Sequence, residues 1–73
     1  MQEDELIKLG KRIKSLRKKK KLTLCSLCYK NGLEPSTVSR IEKAQVEAKY
    51  LTLVKIAEAL ETKLIDLINF EQN

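Results

Sequence analysis

Apolar residues recur at intervals of three and four along much of the chain, the spacing that aligns side chains on one face of an α-helix. The first such stripe predicts a helix from about Glu3 to Lys19, with Gly10 inside it at a small cost in helix propensity. Its apolar positions are Leu6, Leu9, Ile13 and Leu16. Because most of the other positions are basic, we expect one buried face and one charged face.

The strongest stripe lies in the second half of the chain and predicts a helix from Tyr50 to about Glu61-Thr62. We expect this helix to be the centre of the hydrophobic core. Its apolar positions are Tyr50, Leu53, Val54, Ile56, Ala57 and Leu60. A short and very apolar fifth segment follows, comprising Leu64, Ile65, Leu67, Ile68 and Phe70.

Two short helices joined by a tight turn are predicted between the stripes. Thr23 can cap the first, which runs to about Tyr29 and buries Leu24 or Leu27 together with Cys28. Gly32 is placed to end that helix and Pro35 to begin the next. The bounds expected for the second short helix and for the loop after it are Pro35 to Lys43 and Ala44 to Lys49, respectively.

The second short helix has two chemically different faces. Val38 and Ile41 lie three positions apart and face inward with Leu33. The opposite face carries Ser36, Thr37, Arg40 and Lys43. Hydroxyl groups and a guanidinium suit the major groove of DNA, where base edges offer donors and acceptors and Arg binds guanine bidentately. The alternative is an ordinary surface helix with a polar face.

The composition predicts a single all-α domain over residues 1–73. The chain has 2 Gly, 1 Pro and 4% aromatic residues, and no long stretch alternates between apolar and polar positions. A chain of this length supports one core. With no run of about 18 apolar residues and an acidic start, Met1 to Glu5, we expect neither a membrane span nor a signal peptide, and a cytoplasmic location.

Basic residues are concentrated in the first half of the chain. The net charge is +5, and no acidic residue occurs from Leu6 to Leu33. The basic residues there are Lys8, Lys11, Arg12, Lys14, Arg17, Lys18, Lys19, Lys20, Lys21 and Lys30. Such a block attracts polyanions. The stretch lacks the Trp or Phe that would anchor a helix on an acidic membrane, so phosphate in nucleic acid is the favoured partner.

The two cysteines, Cys25 and Cys28, have the spacing of some metal and redox sites. A structural zinc site takes four Cys or His ligands, and this chain has 2 Cys and 0 His, so we expect no metal. Cys28 fits a small core position, whereas Cys25 is expected to be exposed. With no His and no Gly-rich phosphate loop, we expect neither an enzyme, nor a cofactor, nor a small-molecule substrate.

Taken together, these elements resemble the small helix-turn-helix domains of the phage lambda repressor and Cro family, which includes restriction-modification controller proteins. The resemblance extends from about Gly10 to Leu67. It is carried by Ile13, Leu16, Arg17, Leu22, Thr23, Leu27, Gly32, Leu33, Val38, Ser39, Ile41, Glu42, Leu53, Ile56, Ala57 and Leu60. It implies a five-helix domain in which helices 2 and 3 form the helix-turn-helix.

The resemblance also implies residue roles. Arg17 and Glu42 correspond to a largely buried ion pair between helices 1 and 3. The family's base-reading positions fall on Pro35, Ser36, Thr37 and Arg40, and the proline at the first of them shifts recognition to the other three. The family's phosphate-contacting positions fall on Thr23, Leu24, Lys43 and Gln45. From the charge distribution we also expect some of Arg12, Lys19 and Lys49 to contact phosphates. The chain departs from the family pattern at Leu24, Pro35, Ala44 and Ala48-Lys49, and Ala44 replaces a glycine expected to have left-handed backbone geometry.

These features favour a sequence-specific, double-stranded DNA-binding transcription regulator, such as a repressor, acting as a homodimer on a palindromic operator. The apolar segment supplies the expected dimer interface: Leu64, Leu67, Ile68 and Phe70. The alternative for these side chains is that they close the base of the monomer. Two further functions stay open: an adaptor or antitoxin-like subunit that binds a protein through this segment, and a regulator that responds to oxidation at Cys25.

Overall fold

The fold of the chain is given by a computed structural model that describes residues 2–29 and 31–69. Every element of secondary structure in these ranges is helical, which confirms the all-α prediction. The helices are α1 (Gln2–Lys19), α2 (Leu24–Tyr29), α3 (Pro35–Glu42), α4 (Tyr50–Ala59) and α5 (Leu64–Leu67). Each bound lies within one or two residues of its prediction, except at the end of α5.

All five helices contribute side chains to one core. The largest fully buried side chains are Ile13, Leu27, Val38, Ile41, Ile56, Leu60 and Leu67. The most extensive contact between helices joins α1 to α3, while α4 packs mainly against α5 and α2. No contact of α4 is as extensive as the one between α1 and α3, although α4 and its C-cap supply Ile56, Ala57 and Leu60 to the core.

Leu67 corrects the expected dimer interface. Its side chain is fully buried within the monomer, so it closes the base of the core and is not available to a second chain. Leu64 is half-buried and packs against the same core. Ile65 and Ile68 point outward from this end of the molecule, with 66% and 43% of their surface exposed. Phe70 lies outside the described residues.

Gly10 permits the close approach of α1 to α3. It is buried, and a Cβ atom at this position would collide with the carbonyl oxygen of Glu42 and lie 2.7 Å from the carbonyl oxygen of Ile41. These are backbone atoms near the end of α3, and they cannot rotate away as a side chain can. Gly10 keeps its predicted cost in helix propensity, and the packing of α3 against α1 requires it.

Three helices end on residues with left-handed backbone geometry that are not glycine. The φ angles are 58° at Lys21, 60° at Ala44 and 57° at Glu61. After α4, the amide of Thr62 donates to the carbonyl of Ala57 and the amide of Glu61 to that of Glu58, the paired bonds of a Schellman motif. This motif ends α4 at Ala59, two residues before the predicted end. The left-handed geometry expected at Ala44 is confirmed.

Candidate nucleic-acid interface

The helix-turn-helix is formed by α2, a turn through Gly32 and α3. Gly32 has a φ of 67°, and no atom lies within 4 Å of the position of a Cβ there, so backbone geometry and not crowding favours glycine. On α3, Val38 and Ile41 are buried, and Leu33 is half-buried before it. These three apolar contacts fix the rotation of α3 and thereby decide which of its residues face solvent.

The outward face of α3 carries the residues predicted to read bases. Ser36, Thr37 and Arg40 are all exposed, and none of their side chains has a hydrogen-bond or ion-pair partner among residues 4–29 and 31–69. The structure therefore brings two hydroxyl groups and one guanidinium to a single surface, where they are available to an external partner.

An ion pair fastens α3 to α1. The Nε of Arg17 donates to Oε2 of Glu42 at 2.8 Å, and a terminal nitrogen donates to Oε1 at 3.1 Å. The other terminal nitrogen donates to the carbonyl oxygen of Leu22 at 2.8 Å. Only 11% of the Arg17 side chain and 6% of the Glu42 side chain are exposed. Arg17 thus connects α1, the turn before α2 and the end of α3.

The electrostatics of this pair favour the charged form of Arg17. The hydrogen bonds that Arg17 donates to Glu42, and the negative charge of that carboxylate, raise the pKa of Arg17 above its ordinary value, although burial acts in the opposite direction. The hydrogen bonds to the Glu42 carboxylate, together with its charge, therefore outweigh the loss of water. This is the pair that the family resemblance implies, and it positions α3 without contacting the outward face.

The residues predicted to contact phosphate lie on several elements. Lys19, Thr23, Lys43, Gln45 and Lys49 are exposed. Lys43 follows the last residue of α3, and Gln45 and Lys49 lie in the loop before α4. Leu24 differs from these because it is half-buried and packs against the core. Any phosphate contact at Leu24 is therefore limited to its backbone amide.

Thr23 caps α2 as predicted. Its hydroxyl oxygen accepts a hydrogen bond from the amide of Ser26 at 3.0 Å and donates to the Ser26 hydroxyl, with 2.9 Å between the two oxygens. The cap satisfies one of the amides that have no partner within the helix. The start of α2 is thereby held in place beside the predicted DNA surface.

Arg12 has a different role from the phosphate contact predicted for it. Its guanidinium donates to the carbonyl oxygen of Asp66 through two nitrogens, at 2.9 and 3.3 Å. Arg12 lies two positions after Gly10, so the two residues are about 200° apart around α1. Since Gly10 faces α3, Arg12 points to the other side and ties α1 to α5. The phosphate role is withdrawn for this residue.

The cysteines occupy the two environments that were expected. Cys25 is exposed and Cys28 is buried, and both are free thiols. Burial raises the pKa of the Cys28 thiol, because a thiolate is poorly solvated there. Cys28 therefore packs as a small apolar side chain. In the part of the chain that the structure describes, no three Cys, Asp or Glu residues are grouped so that they could hold a metal ion.

Comparison with known proteins identifies the family. The sequence model of one protein family, the Cro/C1-type helix-turn-helix DNA-binding domain, matches residues 12–73. The chain belongs to this family. It is also similar to the crystal structure of the restriction-modification controller protein C.AhdI from Aeromonas hydrophila, with 31% sequence identity and a TM-score of 0.84. That match covers 88% of this chain and 97% of the other. No curated protein sequence matches this chain significantly.

Family membership makes DNA the partner of this domain, in agreement with the surface built by α3. The matched region includes the whole helix-turn-helix and the ion pair that supports it. None of the helices in residues 2–29 and 31–69 is both long and apolar enough to cross a bilayer.

Two structural residues of this Cro/C1-type domain were missed in the sequence. Gly10 packs against backbone carbonyls, and Arg12 donates hydrogen bonds to one. These carbonyls lie at least 31 positions away along the chain. Neither contact has a local pattern that marks it. A glycine kept inside an otherwise strong helical stripe was the available signal for Gly10, since such a glycine costs stability unless packing needs it.

Proposed function

We propose that this protein is a sequence-specific, double-stranded DNA-binding transcription regulator whose helix α3 enters the major groove. The observation that carries the proposal is the outward face of α3, on which Ser36, Thr37 and Arg40 are exposed and have no described side-chain partner. In this mode the recognition helix presents its side chains to base edges. Arg40 has the geometry to bind O6 and N7 of a guanine, and the hydroxyls suit any of the bases.

The surrounding residues position the domain on the sugar-phosphate backbone. Lys43, Gln45 and Lys49 follow α3, and Lys19 is close to the start of α2 in sequence. Thr23 and Leu24 contribute through backbone amides at the start of α2, because the side chain of Thr23 is engaged in the cap. Phosphate contacts give affinity without sequence information, so binding falls steeply as the salt concentration rises.

Replacing Arg40 with alanine is the direct test of base reading. Arg40→Ala is expected to cost about 1 to 3 kcal/mol of binding free energy on the preferred sequence and to remove discrimination at one base pair. Lys43→Ala removes the same charge and is expected to weaken binding equally on all sequences. The measurement is fluorescence anisotropy with a selected operator, the same operator changed at single positions, and a random duplex.

The two variants serve as controls for each other. Both reduce the net charge by one, so a general loss of electrostatic attraction affects them alike. Equal losses on operator and random DNA for Arg40→Ala would contradict its base-reading role. Selection of bound duplexes from a random library supplies the operator and tests the proposal as a whole, since a domain that enriches no sequence is not a sequence-specific regulator.

Two copies of the chain are proposed to bind a palindromic operator. Exposed apolar side chains support an interface on α4 and α5, which pack against each other. They are Tyr50, Leu51, Ile65 and Ile68. Half-buried Leu64 is on α5 next to Ile65 in sequence, whereas Leu67 is used within the monomer. In a homodimer of this kind, the two recognition helices reach half-sites about 34 Å apart, which is one turn of DNA.

A charge placed in this surface is expected to separate the dimer. Ile68→Asp should raise the dissociation constant of the dimer at least about tenfold, because a carboxylate would be buried against apolar side chains. The matched control is Ile7→Asp on α1, since Ile7 and Ile68 are each 43% exposed. Sedimentation over a range of protein concentrations measures both. A wild-type monomer at all concentrations would instead favour a subunit that binds another protein through this surface.

A further inference from the structure

Glu34 is an acidic residue in an otherwise basic part of the chain. Between Leu6 and Ile41 it is the sole acidic residue, and it stands immediately before α3, with its backbone in an extended conformation. Glu34 is exposed. Its carboxylate makes no hydrogen bond to the first turn of α3, and no ion pair joins it to another residue in the ranges 4–29 and 31–69.

The side chain of Glu34 contributes little to the stability of the folded monomer. The first amides of α3, those of Thr37 and Val38, donate to the backbone carbonyl oxygen of Glu34 at 3.0 and 3.2 Å, and this bonding needs no particular side chain. Ser, Thr, Asp and Asn are the residues whose side chains cap a helix start well. An exposed carboxylate near a helix N-terminus contributes only a few tenths of a kcal/mol up to about 1 kcal/mol. Stability alone therefore gives weak grounds for an acidic side chain at this position.

Against DNA, by contrast, the carboxylate of Glu34 distinguishes between the bases. If α3 enters the major groove, the residues at its N-terminal end lie nearest to the base edges. A carboxylate there is repelled by phosphates, and it is also repelled by the acceptor atoms of guanine and by O4 of thymine. The amino group of cytosine is a donor with no acceptor beside it on the same base edge, whereas adenine places N7 next to its amino group. Cytosine is thus the base that suits a carboxylate.

We propose that Glu34 is a specificity-determining residue that accepts a hydrogen bond from the N4 amino group of a cytosine in each half-site. This inference rests on the proposed function, because it requires α3 to lie in the major groove. Glu34 and Arg40 are six positions apart, which corresponds to about 9 Å along a helix. Successive bases on one strand are about 3.4 Å apart. The carboxylate and the guanidinium therefore read different base pairs, a cytosine and a guanine.

The test compares selected sequences for three proteins: wild type, Glu34→Gln and Glu5→Gln. Glu5 is exposed on α1, so its substitution changes the net charge identically but outside both α3 and the proposed dimer surface. For wild type, changing the cytosine to another base is expected to reduce affinity about 5- to 150-fold. In Glu34→Gln the preference at that position should change to adenine, because glutamine binds N6 and N7 of adenine together. Glu5→Gln should keep the cytosine.

Other outcomes overturn the inference, and they separate it from the proposed function. A clear wild-type motif that is unchanged in Glu34→Gln would show that Glu34 reads no base, while the regulator proposal would stand. A uniform change in affinity for all sequences, equal in the Glu34 and Glu5 variants, would leave Glu34 with a charge effect only. If wild type enriches no sequence, the proposed function fails and the inference fails with it. Circular dichroism melting curves check that both variants remain folded.

Discussion

Replacing Arg17 with methionine is expected to lower the free energy of unfolding by about 3 to 5 kcal/mol, because it leaves the nearly buried carboxylate of Glu42 without its partner. Two hydrogen bonds to that carboxylate and one to the carbonyl of Leu22 are lost with the guanidinium. In a domain of this size such a loss is a large part of the total stability. Urea denaturation followed by circular dichroism gives the change from the shift in the midpoint.

The double variant Arg17→Met/Glu42→Leu separates the cost of an unpaired charge from the value of the pair. Removing both charges leaves no buried ion, so the double variant is expected to be more stable than Arg17→Met alone. The single variant Glu42→Leu completes the cycle. If the two single losses simply add in the double variant, the side chains contribute independently and the ion pair does not fasten α3 to α1.

A loss of this pair is also expected to weaken DNA binding beyond its effect on the folded fraction. Glu42 is the last residue of α3, and the pair restrains the angle between α3 and α1. The affinity measured at a temperature where each variant is fully folded reports this contribution. The double variant Arg17→Met/Glu42→Leu is the informative one here. It recovers stability relative to Arg17→Met, but it still lacks the ion pair that restrains α3.

The parts of this fold that depend on local spacing were predictable from the sequence. Val38 and Ile41 are three positions apart, and that spacing alone assigned their side chains to the core and Arg40 to the surface. The left-handed geometry at Ala44 was implied by the family resemblance, in which a glycine follows helix 3. At the end of α4, by contrast, Glu61 is neither glycine nor asparagine, so no residue type marked the turn there.

The contacts that close the fold were not predictable, because they join residues distant in the chain. Arg12 donates to a carbonyl 54 positions away, and nothing near it in sequence distinguishes it from the neighbouring cations. The apolar end of the chain presents the same difficulty. Leu67 and Ile68 are adjacent and equally apolar, yet one is fully buried and the other is 43% exposed. Only the path of α5 across the base of the core decides between them.

Gly10→Ala is the substitution for which sequence propensity and structure predict opposite signs. In the interior of an exposed helix, alanine in place of glycine adds about 1 kcal/mol to stability. At Gly10 the new Cβ would instead collide with the backbone at the end of α3, at the carbonyl oxygens of Glu42 and Ile41. Relieving the collision requires α1 and α3 to separate, and the net result is an expected loss of about 1 to 3 kcal/mol.

Ser15→Ala is the control for this substitution, because Ser15 is exposed on the same helix and alanine there changes helix propensity alone. It is expected to raise the urea midpoint slightly, whereas Gly10→Ala lowers it. Gly10→Val should lower it further, since two more methyl groups enter the same contact. A midpoint that rises in Gly10→Ala would mean that α1 and α3 have room between them. The close contact would then not be what sets the position of α3 on the domain.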